Sequence, residues 1–152
     1  MNEKQISLLA AFAAAKVEFA VVGGMAVNLH GYVRATNDLD IFIRPTPENA
    51  RAAFTALLAL GVPLQGLEPD DLLDEEGNLR FGPEEDHIDI LASIGEMSFD
   101  QVWRNRIEME IEGLAVPFIS MADLIANKRQ VGRLRDLADA EELTLLAQPR
   151  KP

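Results

Sequence analysis

The sequence contains no cysteine, which excludes a disulfide framework and any thiolate metal site. Histidine is nearly as scarce. With only His30 and His87, a histidine-built metal centre has little to work with, so carboxylates are the ligands on offer. Lysine and arginine number 14 against 25 acidic residues. A net charge of −11 argues against a wide basic surface for duplex DNA, because non-specific capture of DNA depends on neutralising many phosphates. No apolar run reaches the length of a membrane span. The apolar stretch Leu8–Ala15 follows Glu3 and Lys4 with no net positive segment ahead of it, so it reads as a helix rather than a secretion signal. A cytoplasmic protein is expected. The 152 residues, 48% apolar and 26% charged, suit one domain with a real core over 1–147 and a loose tail over 148–152.

The periodicities alternate between helix and strand. Glu3–Ala15 has apolar residues at helical spacing, Val17–Val22 is a short β-branched run, and Met25–Leu29 makes about two helical turns before Gly31. Arg34–Asn37 is a polar connection into a strand over Asp38–Ile43, stopped by Pro45. Thr46-Pro47 opens a helix whose buried face is Ala50, Ala53, Phe54, Leu57 and Leu58 and which ends at Gly61. From Val62 to Asp86 the pattern weakens, with a turn at Glu76-Gly77-Asn78 and a short strand at Leu79–Phe81; its acidic segment Asp70–Asp86 reads either as a solvated loop or as a segment that shapes an acceptor pocket or binds a basic partner.

His87–Leu91 alternates again, and Arg106–Ile111 with Leu114–Ile119 suggests a hairpin or two edge strands. Ser120-Met-Ala-Asp123 starts a helix that Gly132 interrupts. A last helix over Arg133–Leu146 is expected to turn Leu134, Leu137, Ala138 and Leu145 inward. The expected architecture is α/β (α+β): a small mixed sheet, helices mainly on one side, and two C-terminal helices flanking a cleft.

Asp38 and Asp40 fall on one face of their strand, where two like charges repel and each disfavours ionisation of the other. A divalent cation removes that cost. Mg²⁺ prefers carboxylate oxygens and commonly completes its shell with substrate phosphates. Gly23-Gly24, between a strand and a helix, offers side-chain-free backbone that an anion can approach. Asp89, flanked by isoleucines in a later strand, has little structural reason to be there unless a cation or a cationic side chain meets it.

The series Gly23-Gly24, Arg34-Ala-Thr-Asn-Asp38-Leu-Asp40 and His87-Ile-Asp89 resembles the polymerase-β-like nucleotidyltransferase superfamily. The segment Lys128-Arg-Gln-Val-Gly-Arg133-Leu-Arg-Asp136 resembles small bacterial members related to AbiEii toxins. The resemblance implies transfer of a nucleoside monophosphate from an NTP such as ATP to a hydroxyl of RNA, protein or a small molecule. Two Mg²⁺ ions, or Mn²⁺ in their place, would be held by Asp38, Asp40 and Asp89, with Gly23 and Gly24 around the β- and γ-phosphates. The serine that many members carry at the second glycine position is absent.

The resemblance also implies a toxin–antitoxin setting, either as an enzyme or as a non-catalytic module that binds a cognate protein partner. Lys128 is either a triphosphate or acceptor contact or a surface lysine at a helix C-terminus. Arg34 either contacts phosphate or pins the turn to Asp38, Thr36 orients that turn, and Arg133 with Asp136 forms an i, i+3 ion pair. His87 has either a role beside Asp89 or a packing role. Trp103 reads as a core residue.

Overall fold

A computed structural model describes residues 1–149. In chain order the elements are α1 (Glu3–Ala14), β1 (Phe19–Val22), α2 (Gly23–Leu29), β2 (Leu39–Ile43), α3 (Pro47–Ala59), β3 (Asn78–Phe81), β4 (Ile88–Leu91), α4 (Phe99–Asn105), β5 (Ile107–Ile111), β6 (Leu114–Phe118), α5 (Met121–Val131) and α6 (Leu134–Ala147). The tail expected over 148–152 lies outside the described residues from position 150 onward.

The strands form one mixed sheet in the order β3-β4-β2-β1-β6-β5. β1 and β2 are antiparallel, with Val22 opposite Asp40, and β4 runs parallel to β2, with Asp89 level with Asp40. β3 closes that edge antiparallel to β4 and sets Arg80 opposite Asp89. On the other side β6 joins β1 in parallel, and β5 pairs with β6 as a hairpin. The hairpin therefore supplies one edge strand and one interior strand, rather than two edges.

β1 and most of β2 are buried, so they read as near-continuous apolar runs that only Asp40 interrupts. Against them pack the α1 residues Leu8, Leu9 and Phe12, together with Ala53 and Leu57 of α3, all at most 1% exposed. Burying a side chain of this size contributes about 1.5–3 kcal/mol. The helix starts follow their local chemistry: the Asn2 side chain accepts from the Gln5 N–H, Thr46 from Asn49, and Ser120 from Asp123. α5 ends at Gly132, whose φ of +75° is the left-handed conformation that glycine adopts without strain.

Four local outcomes differ from the sequence reading. Leu58, expected on the buried face of α3, is exposed, and Ala56 is buried in its place, because the helical turn carries position 58 away from the sheet. Within the stretch read as a loop, Pro69–Leu73 forms a short 3-10 helix that buries Leu72. α4 was not anticipated. Ser98 caps it, Phe99 and Val102 are buried, and Trp103 is partly buried, stacked on Phe99 and covered on its other side by the Arg106 guanidinium. At α6 the expected inward set is wrong as well. Leu134, Leu137, Ala138 and Leu145 are exposed, and the buried face consists of Asp136, Asp139, Ala140 and Leu143. Cations waiting on neighbouring elements, described below, set the rotation of this helix.

Candidate active site

One row across the sheet brings two carboxylates and a guanidinium together. Reading across β1, β2, β4 and β3 at one level gives Val22, Asp40, Asp89 and Arg80. Directly paired residues of neighbouring strands project to the same face, so the last three share one surface. Asn78 lies two residues before Arg80 in β3, which the period of two places on that face as well, and Asp38, one residue ahead of β2, lines the same cleft. The row opens into a cleft of about 350 Å³. All eight residues singled out from the sequence line it: Gly23, Gly24, Arg34, Thr36, Asp38, Asp40, Asp89 and Lys128. Asn78, Arg80, His87, Arg133 and Asp136 join them.

The glycines have distinct steric reasons. Gly23 has a φ of +66°, and a Cβ there would overlap the Asp40 carboxylate. At Gly24 a Cβ would lie 2.6 Å from Thr36 Oγ1 and 3.0 Å from Thr36 Cβ. The Thr36 side chain thus fills the space that a side chain at position 24 would need, while its hydroxyl accepts a long hydrogen bond (3.4 Å) from the Asp38 N–H. No side chain caps the start of α2. Gly24→Ala is expected to destabilise the fold by about 1–3 kcal/mol through overpacking. Adding Thr36→Ala should recover part of that loss in urea denaturation; equal losses with and without Thr36→Ala would show that Thr36 is not the obstacle.

The electrostatics reflect the crowding of carboxylates. Burial, then the Asp89 charge and a hydrogen bond shared with Asp89, then the Asp38 charge, push the Asp40 carboxyl up to about 6, and His87 partly offsets this. His87 Nε2 lies 3.2 Å from Asp38 Oδ2 and 3.3 Å from Asp89 Oδ2, which places this ring between two carboxylates rather than in apolar packing. A cationic side chain does meet Asp89. Arg80 donates to both of its oxygens at 2.8 and 3.2 Å, and Asn78 Nδ2 adds a bond of 2.7 Å.

A second cluster of charges ties the C-terminal helices to the loop before β2. The Arg34 guanidinium donates to both oxygens of Asp139, each at 3.0 Å, rather than to Asp38. Lys128 Nζ lies 3.0 Å from Asp139 Oδ2 and 3.1 Å from Asp136 Oδ1, and Arg133 Nε lies 2.6 Å from Asp136 Oδ2. Lys128 is 7% exposed, so its reading as a surface lysine does not hold, whereas the pair Arg133–Asp136 is present as expected. Burial works against ionised Asp136, yet the bonds from Arg133 and Lys128 hold its carboxyl below the usual range. These cations are why α6 turns its aspartates inward.

Sequence reasoning missed Asn78, Arg80 and Asp139. The signal for the first two was the alternation Asn78-Leu-Arg80-Phe81; for Asp139 it was the spacing of three from Asp136. Asp38, Asp40 and Asp89 form a hard-oxygen donor set, and the upward shift of Asp40, caused first by burial and then by the neighbouring carboxylates, marks a charge that a bound cation would offset. Among the described residues no three carboxylate or histidine side chains already stand in ligating geometry. The oxygens of Asp89 are engaged by Arg80 and Asn78. The donor chemistry fits Mg²⁺, provided Arg80 gives way.

Solved structures share this fold. The lincosamide antibiotic adenylyltransferase LnuA, crystallised with lincomycin, superposes with a TM-score of 0.57 at 15% identity, over 97% of this chain and 98% of LnuA. An antigenic nucleotidyltransferase-like protein from Paracoccidioides brasiliensis gives 0.56 at 16% identity, over 98% of this chain and 78% of that one. The antibiotic-resistance factor ANT(2'')-Ia, in its solution structure, gives 0.52 at 14% identity, over 94% and 86%. A search of curated proteins finds no match. Residues 3–149 match the profile described as "Nucleotidyltransferase of unknown function (DUF6036)", and the chain belongs to that family.

Proposed function

We propose that this chain is a Mg²⁺-dependent nucleotidyltransferase that moves a nucleoside monophosphate from an NTP to a hydroxyl of a small molecule and releases pyrophosphate. The observation that carries the reading is the convergence of Asp38, Asp40 and Asp89 beside the Gly23-Gly24 turn in one cleft. Asp38, Asp40 and Asp89 are the residues to hold the metal. When bound, Mg²⁺ supplies charge neutralisation for the triphosphate and lowers the pKa of the attacking hydroxyl. Backbone N–H groups at Gly23-Gly24 receive the phosphate oxygens. The acceptor oxygen forms a bond to the α-phosphorus, the bond from that phosphorus to pyrophosphate breaks, and the hydroxyl proton passes to Asp89. The names of LnuA and ANT(2'')-Ia, an antibiotic adenylyltransferase and an antibiotic-resistance factor, favour a small-molecule acceptor over RNA or protein.

A second reading, a toxin–antitoxin interaction module of the AbiEii kind, draws on the exposed Leu134, Leu137, Leu145 and Leu146 of α6 and on the engagement of Asp89 by Arg80. Calorimetric titration with non-hydrolysable analogues of the four NTPs, in Mg²⁺ and in EDTA, separates the two. Metal-dependent binding that disappears in the Asp38→Asn/Asp40→Asn double variant is expected. Binding that survives the double substitution would sink the two-aspartate site, and no binding by the unaltered protein would favour the interaction module.

A further inference from the structure

Arg80 stands where a cation belongs. It projects from edge strand β3 directly opposite Asp89, and its forked guanidinium takes both carboxylate oxygens. The two partners differ in their freedom. The Asp89 side chain is 6% exposed and held in the interior of the sheet, whereas that of Arg80 is 61% exposed and bonded to Asp89 through its guanidinium. If the pair separates, Arg80 is the member that moves. The other cations of the cleft are placed differently. Three of them, Arg34, Lys128 and Arg133, are paired with Asp136 and Asp139, which lie outside the row of prospective ligands, and Arg135 lines the cleft with no ion pair among the described residues. Arg80 is paired with a member of the row itself.

We propose that Arg80 is a movable counter-ion: it neutralises Asp89 in the metal-free protein, yields that carboxylate to the divalent cation, and then contacts the phosphates of the nucleotide. This rests on the metal-site reading above. Displacement leaves a positively charged, forked donor at the mouth of the cleft with no carboxylate to hold it, at the moment when a triphosphate offers oxygens suited to bidentate pairing. Cation and nucleotide binding are then coupled through one side chain, because the metal has to break the Arg80–Asp89 pair and the nucleotide gains the released guanidinium.

The test compares the unaltered protein with Arg80→Gln and Arg80→Lys, first titrated with Mn²⁺ alone and then, in saturating Mn²⁺, with a non-hydrolysable ATP analogue. Arg80→Gln is expected to bind Mn²⁺ about tenfold more tightly and the analogue about tenfold more weakly, within the range that coupled sites ordinarily reach. Arg80→Lys, which keeps the charge without the fork, should fall between. Opposite changes in the two affinities are what a merely structural arginine would not produce. Unchanged Mn²⁺ affinity in Arg80→Gln, or parallel weakening of both ligands with a lower melting temperature, overturns the proposal. An Asp38→Asn/Asp40→Asn control separates the two levels. Mn²⁺ binding that depends on those aspartates but ignores Arg80 defeats the counter-ion role alone, and absence of Mn²⁺ binding in every variant defeats the metal site as well.

Discussion

Asp40→Asn is expected to lower nucleotidyl transfer by roughly a thousandfold while making the metal-free protein more stable. The first effect follows from the proposed metal site, where Asp40 would be a charged ligand at the level of Asp89 and amide oxygen a poor substitute for carboxylate. The second follows from the upward shift of Asp40 to about 6 from an ordinary 3.8. A raised carboxyl pKa contributes to stability fully below the unfolded value and loses that contribution as pH rises through the folded value. At neutral pH the ionised carboxylate is therefore a burden. Its removal should stabilise the metal-free fold by about 2 kcal/mol above pH 6, with the gain narrowing as pH falls toward 4. Melting curves of both proteins across that range, in EDTA, check the sign. A variant that is less stable at neutral pH, or that keeps its activity, contradicts the assignment of Asp40.

Lys128→Met is expected to destabilise the protein by about 3–5 kcal/mol, the usual consequence of leaving buried charge uncompensated. Asp136 and Asp139 are each 3% exposed at the side chain and share the Lys128 ammonium between them, so its loss leaves Arg133 and Arg34 to neutralise them from one side only. Adding Asp139→Asn should restore part of the stability, since removing one of the stranded charges removes part of the penalty. A double-mutant cycle in chemical denaturation reads that coupling directly. If Lys128→Met unfolds at the same denaturant concentration as the unaltered chain and only nucleotide affinity falls, Lys128 is a ligand contact and the ionic cluster is not what holds α5, α6 and the Arg34 loop together.

The features visible in the sequence were those governed by local spacing. The period of two in Asp38-Leu39-Asp40 and His87-Ile88-Asp89-Ile90 placed Asp40 and Asp89 on strands and Asp38 one residue ahead of its own, the glycine pair marked the passage from β1 into α2, and capping residues such as Thr46 and Ser120 marked helix starts. Along a strand or at a helix end, the neighbours that decide a side chain's direction are a few residues away, so the pattern itself contains the answer. The capping signal at Ser98 was present too, but a helix of seven residues gives a short apolar pattern that is easily passed over.

Three matters were decided only when distant segments met. Arg80 could be matched to Asp89 only through the register of β3 against β4, because a shift of one residue would turn its side chain to the opposite face. Lys128, which local pattern alone allowed as a surface residue, became buried because two aspartates of the following helix close over it. The orientation of α6 departed from its leucine spacing because Arg34 and Lys128 come from outside the helix. An aspartate turned away from them would leave them unpaired, and buried charge without a partner costs more than an exposed leucine. From its sequence alone, this protein showed which carboxylates and glycines belong to the candidate site and which strands they lie on or beside; the tertiary structure decided which charges neutralise one another, because that depends on distances between segments far apart in the chain.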